Sequence, residues 1–303
     1  MYDLIIVGGG PSGISASIYA RSRGLNTLLI EKNKIGGMIG KISMVTHFAG
    51  IMENESGHSF AKRMKDQAES YGLEIAYEEV VDTDLAGPEK IVKTKDKTYK
   101  AKAVIIATGT TAKKLGLEND SEFFQKGLYQ NAQDDHDYYK DKTVVVVGGS
   151  DGACKEAIYL SKFAKEVHLV HHGEKLGTVQ EFKTIIENSA KITVHLSSSV
   201  KAVSGDDKVN SVILENSASG QDLEIKAPDL GVFVHIGADP NTAIAKELEM
   251  EDGYFKVDNC CQTNLPGVYA VGDVRNTLVR QVSTAVADGT RAAIKANEYI
   301  NSL

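Results

Sequence analysis

MYDLIIVGGGPSGISASIYARSRGLNTLLIEK, residues 1–32, is the stretch whose reading decides the fold. Tyr2 to Val7 is a short apolar run that predicts a buried strand, and Ile14 to Arg23 carries apolar residues at helical spacing. Between them Gly8, Gly10 and Gly13 complete GxGxxG. Gly8 permits the turn, Gly10 lets the backbone approach a pyrophosphate, and Gly13 lets the helix pack closely on the strand. The helix N-terminus, with Pro11 and Ser12 at its entry, then faces phosphate charge. A second strand, Thr27 to Ile30, ends at Glu31, 18 residues beyond Gly13 and next to Lys32. That is about where an acid meets ribose hydroxyls.

At 303 residues the chain suits two domains. Its formal charge of −7, the lack of any basic run and an aromatic content of 7% without tryptophan argue against a nucleic-acid partner. The first strand begins at Tyr2, and no apolar stretch approaches a membrane span, so no membrane association and a cytoplasmic location are expected. Three cysteines, Cys154, Cys260 and Cys261, cannot form a disulfide framework, which fits a reducing compartment.

Farther along, Gly36, Gly37 and Gly40 make a loop that can cover a ligand, and Ser59 to Tyr71 reads as an amphipathic helix with Phe60, Met64 and Ala68 on one face. Strands are expected at Glu74 to Leu85, Ile91 to Thr94 and Ala103 to Ile106. A second unit repeats the opening pattern: a strand at Thr143 to Val147, a dinucleotide-type turn at Gly148-Gly149-Ser150-Asp151-Gly152-Ala153, a helix at Cys154 to Phe163 and a strand at Val167 to Val170. Two such starts imply two nucleotide-sized sites. Further strands are read at Val194 to Leu196, Val209 to Leu214 and Leu223 to Lys226, and a closing helix from Val282 to Leu303.

GGGPSG, the acid-ending second strand, IGGM at residues 35–38, HFAG at 47–50 and ATGT at 107–110 resemble the thioredoxin reductase family of FAD flavoproteins, low-molecular-weight type. GVFVHIGADPNTAI and QTNLPGVYAVGDV near the end resemble it too, so the likeness spans essentially the whole chain. It implies an α/β fold of two Rossmann-like dinucleotide-binding domains, the second inserted into the first. Residues 1–111 and 241–303 would form the FAD-binding domain and 112–240 the pyridine-nucleotide-type domain. The resemblance further implies bound FAD, a homodimer and domain rotation. It places Gly37, Met38, His47, Ala107, Thr108, Gly109, Gly272, Asp273, Arg280, Gln281 and Val282 at the flavin. Asp273 can accept from a ribityl hydroxyl, and the helix that follows can point its N-terminus at the cofactor.

The chain departs from that family in two places. Aligned on Tyr139-Lys140, the family's CxxC cysteines fall on Asn131 and Asp134, and neither an amide nor a carboxylate has thiolate chemistry. In the second turn Ser150 replaces the middle glycine. The family's HRR and a downstream arginine fall on His171, His172, Gly173 and Gly177, and no arginine lies between Arg63 and Arg275. Neutral imidazoles lack the charged fork that pairs with a 2′-phosphate, so poor discrimination for NADPH is expected. His171-His172 has no third ligand near it in sequence, and no metal site is expected.

Three readings follow. In the first, the protein is an FAD-dependent oxidoreductase that passes electrons between NAD(P)H or a ferredoxin-like protein and a redox protein or small-molecule acceptor, without the dithiol. Ferredoxin-NADP reductases built on this scaffold also lack CxxC. In the second, thiol or disulfide chemistry moves to Cys154 or to Cys260-Cys261. A helix dipole is expected to lower the Cys154 pKa, although the residue reads first as a small helix-packing side chain. Cys260 and Cys261 are read as free thiols at a strand end, because adjacent Cα atoms about 3.8 Å apart make a bridge strained. In the third, the protein holds FAD and a second nucleotide or flavin without turnover.

Overall fold

The computed structural model describes all residues except Asn54 and residues 133–137. In chain order, β1 (Tyr2–Val7), α1 (Pro11–Arg21), β2 (Thr27–Ile30), α2 (Gly57–Ser70), β3 (Glu74–Ala76), β4 (Val80–Asp84), β5 (Lys90–Thr94) and β6 (Thr98–Ile106) precede β7 (Thr110–Ala112). Then come α3 (Asp120–Phe123), β8 (Leu128–Tyr129), β9 (Thr143–Val147), α4 (Asp151–Ser161), β10 (Glu166–Val170), α5 (Gln180–Glu187), β11 (Ile192–His195), β12 (Ser198–Gly205), β13 (Val209–Asn216), β14 (Asp222–Lys226) and β15 (Gly231–Val234). The chain ends with β16 (Ala238–Pro240), β17 (Met250–Glu251), β18 (Tyr254–Phe255), β19 (Val268–Ala270) and α6 (Val282–Asn301). It divides into two compact units: residues 1–111 with 239–303, and residues 112–238.

In the first unit a sheet of order β3-β2-β1-β6-β5-β4, with β19 also on β6, has β1 between two parallel neighbours. From Leu4 onward β1 is buried on both faces and runs apolar without a break, Leu4 and Ile6 serving one core while Ile5 and Val7 serve the other. On the first face α1 and α6 cross the sheet through small residues. A Cβ on Gly289 would lie 2.1 Å from the Ser12 carbonyl oxygen, so only glycine permits that approach. Ser56 caps α2 by accepting from Ser59 N–H at 3.1 Å, which starts the helix two residues before the periodicity alone suggests.

The second unit is a parallel sheet, β11-β10-β9-β15-β8. Helices α4 and α5 cover one face through Ala157, Leu160, Phe182 and Ile186. The antiparallel ribbon β12-β13-β14 covers the other, where Val203 and Val212 meet Val145, Val147 and Val170. Strand β12 and helix α5 escape the sequence reading. The first alternates weakly in polarity, and the second is short, with only Phe182 and Ile186 buried. Among the described residues no helix is long and apolar enough to cross a membrane.

Candidate functional site

In the first unit the glycine turn, the end of β6 and the turn after β19 converge at the C-terminal edge of the sheet. Gly8 has φ +110°, and a Cβ there would sit 2.3 Å from the Ala107 carbonyl oxygen. A Cβ on Gly13 would sit 1.9 Å from the Gly8 carbonyl oxygen, which is why the helix lies so close to the strand. Gly10 differs: the nearest atom to its notional Cβ is Gly37 Cα at 4.0 Å, so its outer side is open. Gly10 is the N-cap of α1, with Pro11 entering the helix. No side chain caps this end, and the first turn holds no acid. Its backbone N–H groups and dipole are therefore available to an anion.

Glu31, at the end of β2, accepts from Gly9 N–H at 2.7 Å and from Asn33 N–H at 2.8 Å, which fixes its carboxylate beside the turn while leaving acceptor capacity for hydroxyls. Gly36 N–H donates to the Gly9 carbonyl at 2.8 Å and ties the glycine loop to the same turn. From the other end of the chain, a Cβ on Gly272 would lie 2.7 Å from Ser12 Oγ. Asp273 follows directly. Burial pushes its carboxyl above the ordinary aspartate range; the Arg280 guanidinium opposes that shift and Asp288 adds to it. Residues Gly8, Gly10, Ser12, Gly13, Glu31, Gly37, Ala107 and Gly272 are thus brought together. This open, uncapped, acid-flanked turn fits the pyrophosphate and ribose of a dinucleotide such as FAD.

Other expected residues have different neighbours. Thr108 donates from Oγ1 to the Asn241 carbonyl at 2.8 Å, Asn241 Nδ2 donates to the Thr108 carbonyl at 2.9 Å, and Gly109 accepts from Asn241 N–H at 3.0 Å. Lys32, Met38 and His47 are exposed, His47 with φ +57°. Arg280 lies 4.2 Å over the Tyr254 ring. Gln281 caps α6 reciprocally with Thr284, and Val282 opens that helix.

Sequence reasoning misses Asp288 and Arg275, because the partners are joined only by folding. Asp288, inside α6, accepts from Arg275 Nε at 2.7 Å and Nη2 at 2.9 Å, and from Gly272 N–H at 3.2 Å. The side chains are 3% and 16% exposed. A buried bidentate pair therefore holds the turn that presents Asp273.

The second unit repeats the geometry with altered chemistry. Gly148 has φ +139°, and its Cβ would lie 2.2 Å from the His235 carbonyl oxygen. The His171 ring occupies the space over Gly149, where a Cβ would meet it at 2.4 Å, and His172 packs edge-on against His171 at 4.6 Å. Ser150 is the N-cap of α4, and Gly152 and Ala153 lie in the helix's first turn. Asp151 also lies there, its Oδ1 accepting from Thr178 Oγ1 at 2.7 Å and Val179 N–H at 3.1 Å. This helix end carries its own carboxylate and is less positive than that of α1. His171 Nδ1 and His235 Nε2 are buried without a partner among the described residues. Burial, with Lys155 nearby, pushes the His235 pKa down to about 4; burial and His172 lower that of His171. His235 lacks any distinguishing sequence signal.

Asn131 is half-buried, and the next residue, Ala132, donates its N–H to buried Glu156 at 2.6 Å. Asp134 lies outside the described residues. The thiol expectations need correction. Cys154 is fully buried, and burial raises its pKa to about 11, overriding the helix dipole. Cys260 and Cys261 lie in a turn, with Cys261 at φ +65°, and all three cysteines are free. The Asp258 carboxylate accepts from Cys260 N–H at 2.8 Å and Gln262 N–H at 2.9 Å. Cys261 is buried, its pKa pushed to about 12 by burial first and by Asp288. Among the described residues no group of three or more His, Cys, Asp or Glu side chains is placed to hold a metal ion.

The family model for pyridine nucleotide-disulphide oxidoreductases matches residues 2–289. The thioredoxin reductase of Peptoclostridium litorale is 36% identical over 309 residues, covering 100% of this chain and 98% of its own. The Lactococcus lactis thioredoxin reductase structure is similar with a TM-score of 0.95 at 32% identity, covering 100% of both chains. A ferredoxin-flavin thioredoxin reductase structure from Clostridium acetobutylicum is similar with a TM-score of 0.55 at 26% identity, covering 100% of this chain and 99% of its own.

Proposed function

The chain belongs to the pyridine nucleotide-disulphide oxidoreductase family and is an FAD-dependent oxidoreductase of the thioredoxin reductase type; we propose that it passes electrons from NAD(P)H through FAD to a redox protein without a CxxC dithiol. The observation that carries this reading is the open turn at Gly10, with the uncapped α1 N-terminus behind it and Glu31 at its side. Residues 1–111 and 241–303 are assigned to FAD and 112–240 to the second nucleotide.

When bound, FAD supplies hydride and one-electron chemistry. In our reading the α1 N-terminus orients the pyrophosphate, Glu31 takes a ribose hydroxyl and Asp273 a ribityl hydroxyl. The pair Asp288–Arg275 holds Asp273 in place. His171, His172, Gly173 and Gly177 supply no guanidinium, so NADH and NADPH bind with similar affinity. With Asn131 where the family has a cysteine, electrons leave for the partner without an internal dithiol.

A reduced ferredoxin-like protein as donor is the second reading. It is favoured by the carboxylate at the α4 N-terminus, which weakens a pyrophosphate site, and by the resemblance to a ferredoxin-flavin thioredoxin reductase. We further assign a cytoplasmic location and a homodimer. The test is anaerobic reduction of the purified yellow protein by each nucleotide. FAD released on denaturation supports the cofactor assignment; a colourless protein that binds no added FAD refutes it.

A further inference from the structure

A second cleft in the first unit, of about 430 Å³, is assigned no role by the flavin reading. Its size falls within the roughly 300–1,000 Å³ of small-ligand sites. The Asp258–Gln262 turn forms one wall, the last turns of α6 another, and Tyr269 of β19 the floor.

The turn sorts the two adjacent cysteines. Cys261, at φ +65°, joins the core at 1% exposure, whereas Cys260 is half-exposed and lines the cleft. Tyr269 is the independent sign of a ligand. It is 1% exposed, and no hydrogen bond within the described residues satisfies its hydroxyl. Tyr269 lines the cleft together with Tyr299, Glu298, Asp258 and Cys260, and burial first, with those four groups, pushes its pKa up to about 12. The hydroxyl is not one of the fully buried unpartnered atoms, so the tip of this otherwise enclosed side chain meets the cleft, where a guest's acceptor can replace water. Lys295 donates to Glu298 at 2.7 Å, and its ammonium also feels Cys260 and Asp258.

These groups suit one kind of guest: a carboxylate for Lys295, an ammonium for Glu298 and Asp258, an acceptor for Tyr269, and a sulfur for Cys260. We propose that this cleft binds a small zwitterionic amino-acid disulfide, of which cystine is the simplest, and that Cys260 forms a mixed disulfide with it.

The step balances as thiol–disulfide exchange. Cys260 gives up its thiol proton to solvent, and its sulfur attacks one sulfur of the disulfide. A bond from Cys260 Sγ to that sulfur forms as the original S–S bond breaks. The departing thiolate takes up a proton. The small disulfide is the oxidant, and one of its halves leaves as the reduced thiol.

The test exposes the purified full-length protein at mildly alkaline pH to cystine, cystamine or glutathione disulfide, and follows the reaction by intact-mass spectrometry with peptide mapping. Cystine is expected to add one half-cystine at Cys260 alone. Cys260→Ser is expected to take none. Lys295→Gln and Tyr269→Phe each slow the reaction about fivefold, the size of one surface ion pair or one net hydrogen bond. Cystamine, which has no carboxylate, and glutathione disulfide, which is larger, react more slowly than cystine on the native protein. Lys295→Gln is expected to abolish the preference for cystine over cystamine. Equal rates for the three disulfides, variants as fast as the native protein, or an unmodified Cys260 would each overturn the proposal.

Discussion

Replacing Asp288 by Asn tests how the turn carrying Asp273 is held. The native carboxylate takes two charge-assisted bonds from Arg275, at 2.7 and 2.9 Å, one from Gly272 N–H, and a long one at 3.5 Å from the more exposed Arg291. Breaking a buried ion pair from one side costs about 3–5 kcal/mol, because the other charge stays buried. Arg275 is 16% exposed and keeps its bond to the Asn276 carbonyl at 2.9 Å, and an amide still offers one acceptor, so the low end of that range, about 3 kcal/mol, applies. Part of this falls on the cofactor, since the Gly272 N–H loses its anionic acceptor. We expect FAD affinity to fall about tenfold or more, corresponding to about 1.4 kcal/mol. Urea unfolding of the apoprotein measures the first quantity and FAD titration of the same apoprotein the second. Asp288→Leu with Arg275→Met removes both charges, and its fold should recover while FAD affinity stays low. An Asp288→Asn protein with native unfolding midpoint and native FAD affinity would refute the reasoning, and so would a double variant with native affinity.

Other predictions follow from the same geometry. Gly13→Ala puts a Cβ 1.9 Å from a backbone oxygen and should prevent correct folding, whereas Gly10→Ala meets open space, leaving stability within about 1 kcal/mol but weakening FAD binding; circular dichroism and FAD titration separate the two. His235 titrates at about 4 in the fold against about 6.5 in the unfolded chain, so the unfolded chain binds its proton first. Stability from this group is therefore intact above pH about 6.5 and falls as pH drops toward 4, by about 3 kcal/mol. His235→Phe should flatten that part of the profile of unfolding free energy against pH, and an unchanged slope would contradict it. An aromatic disulfide reagent should titrate one rapid thiol, Cys260, in the native protein and three after denaturation; a rapid Cys154 would contradict its burial.

Much of the frame is legible from local pattern. Leu4 to Val7 of β1 and Val144 to Val147 of β9 are unbroken apolar runs followed by glycine turns, and runs of that kind arise where a parallel strand is covered on both faces. What stays hidden depends on contacts made only in the folded chain. The Asp288–Arg275 pair bridges 13 positions that look like ordinary surface charge, and the outward side of Gly10 is known only once Gly37 approaches it. Burial likewise reverses the Cys154 expectation: a dipole at a helix start favours the thiolate, but a fully enclosed sulfur pays a larger desolvation penalty. The turn at Cys260-Cys261 is set by Asp258 capping two N–H groups, which a strand-like reading of the neighbouring residues does not reveal.

The most direct measurement is anaerobic titration of the FAD-loaded protein with NADH and NADPH in parallel, following loss of the oxidised flavin's visible absorption. The account predicts bleaching by both nucleotides with affinities within about tenfold of each other, since no guanidinium is available to reward the 2′-phosphate. A strong preference for NADPH would contradict the reading of His171, His172, Gly173 and Gly177. Failure of both nucleotides, with bleaching by a chemical reductant, would contradict the proposal of NAD(P)H as donor and leave the ferredoxin-like protein in its place.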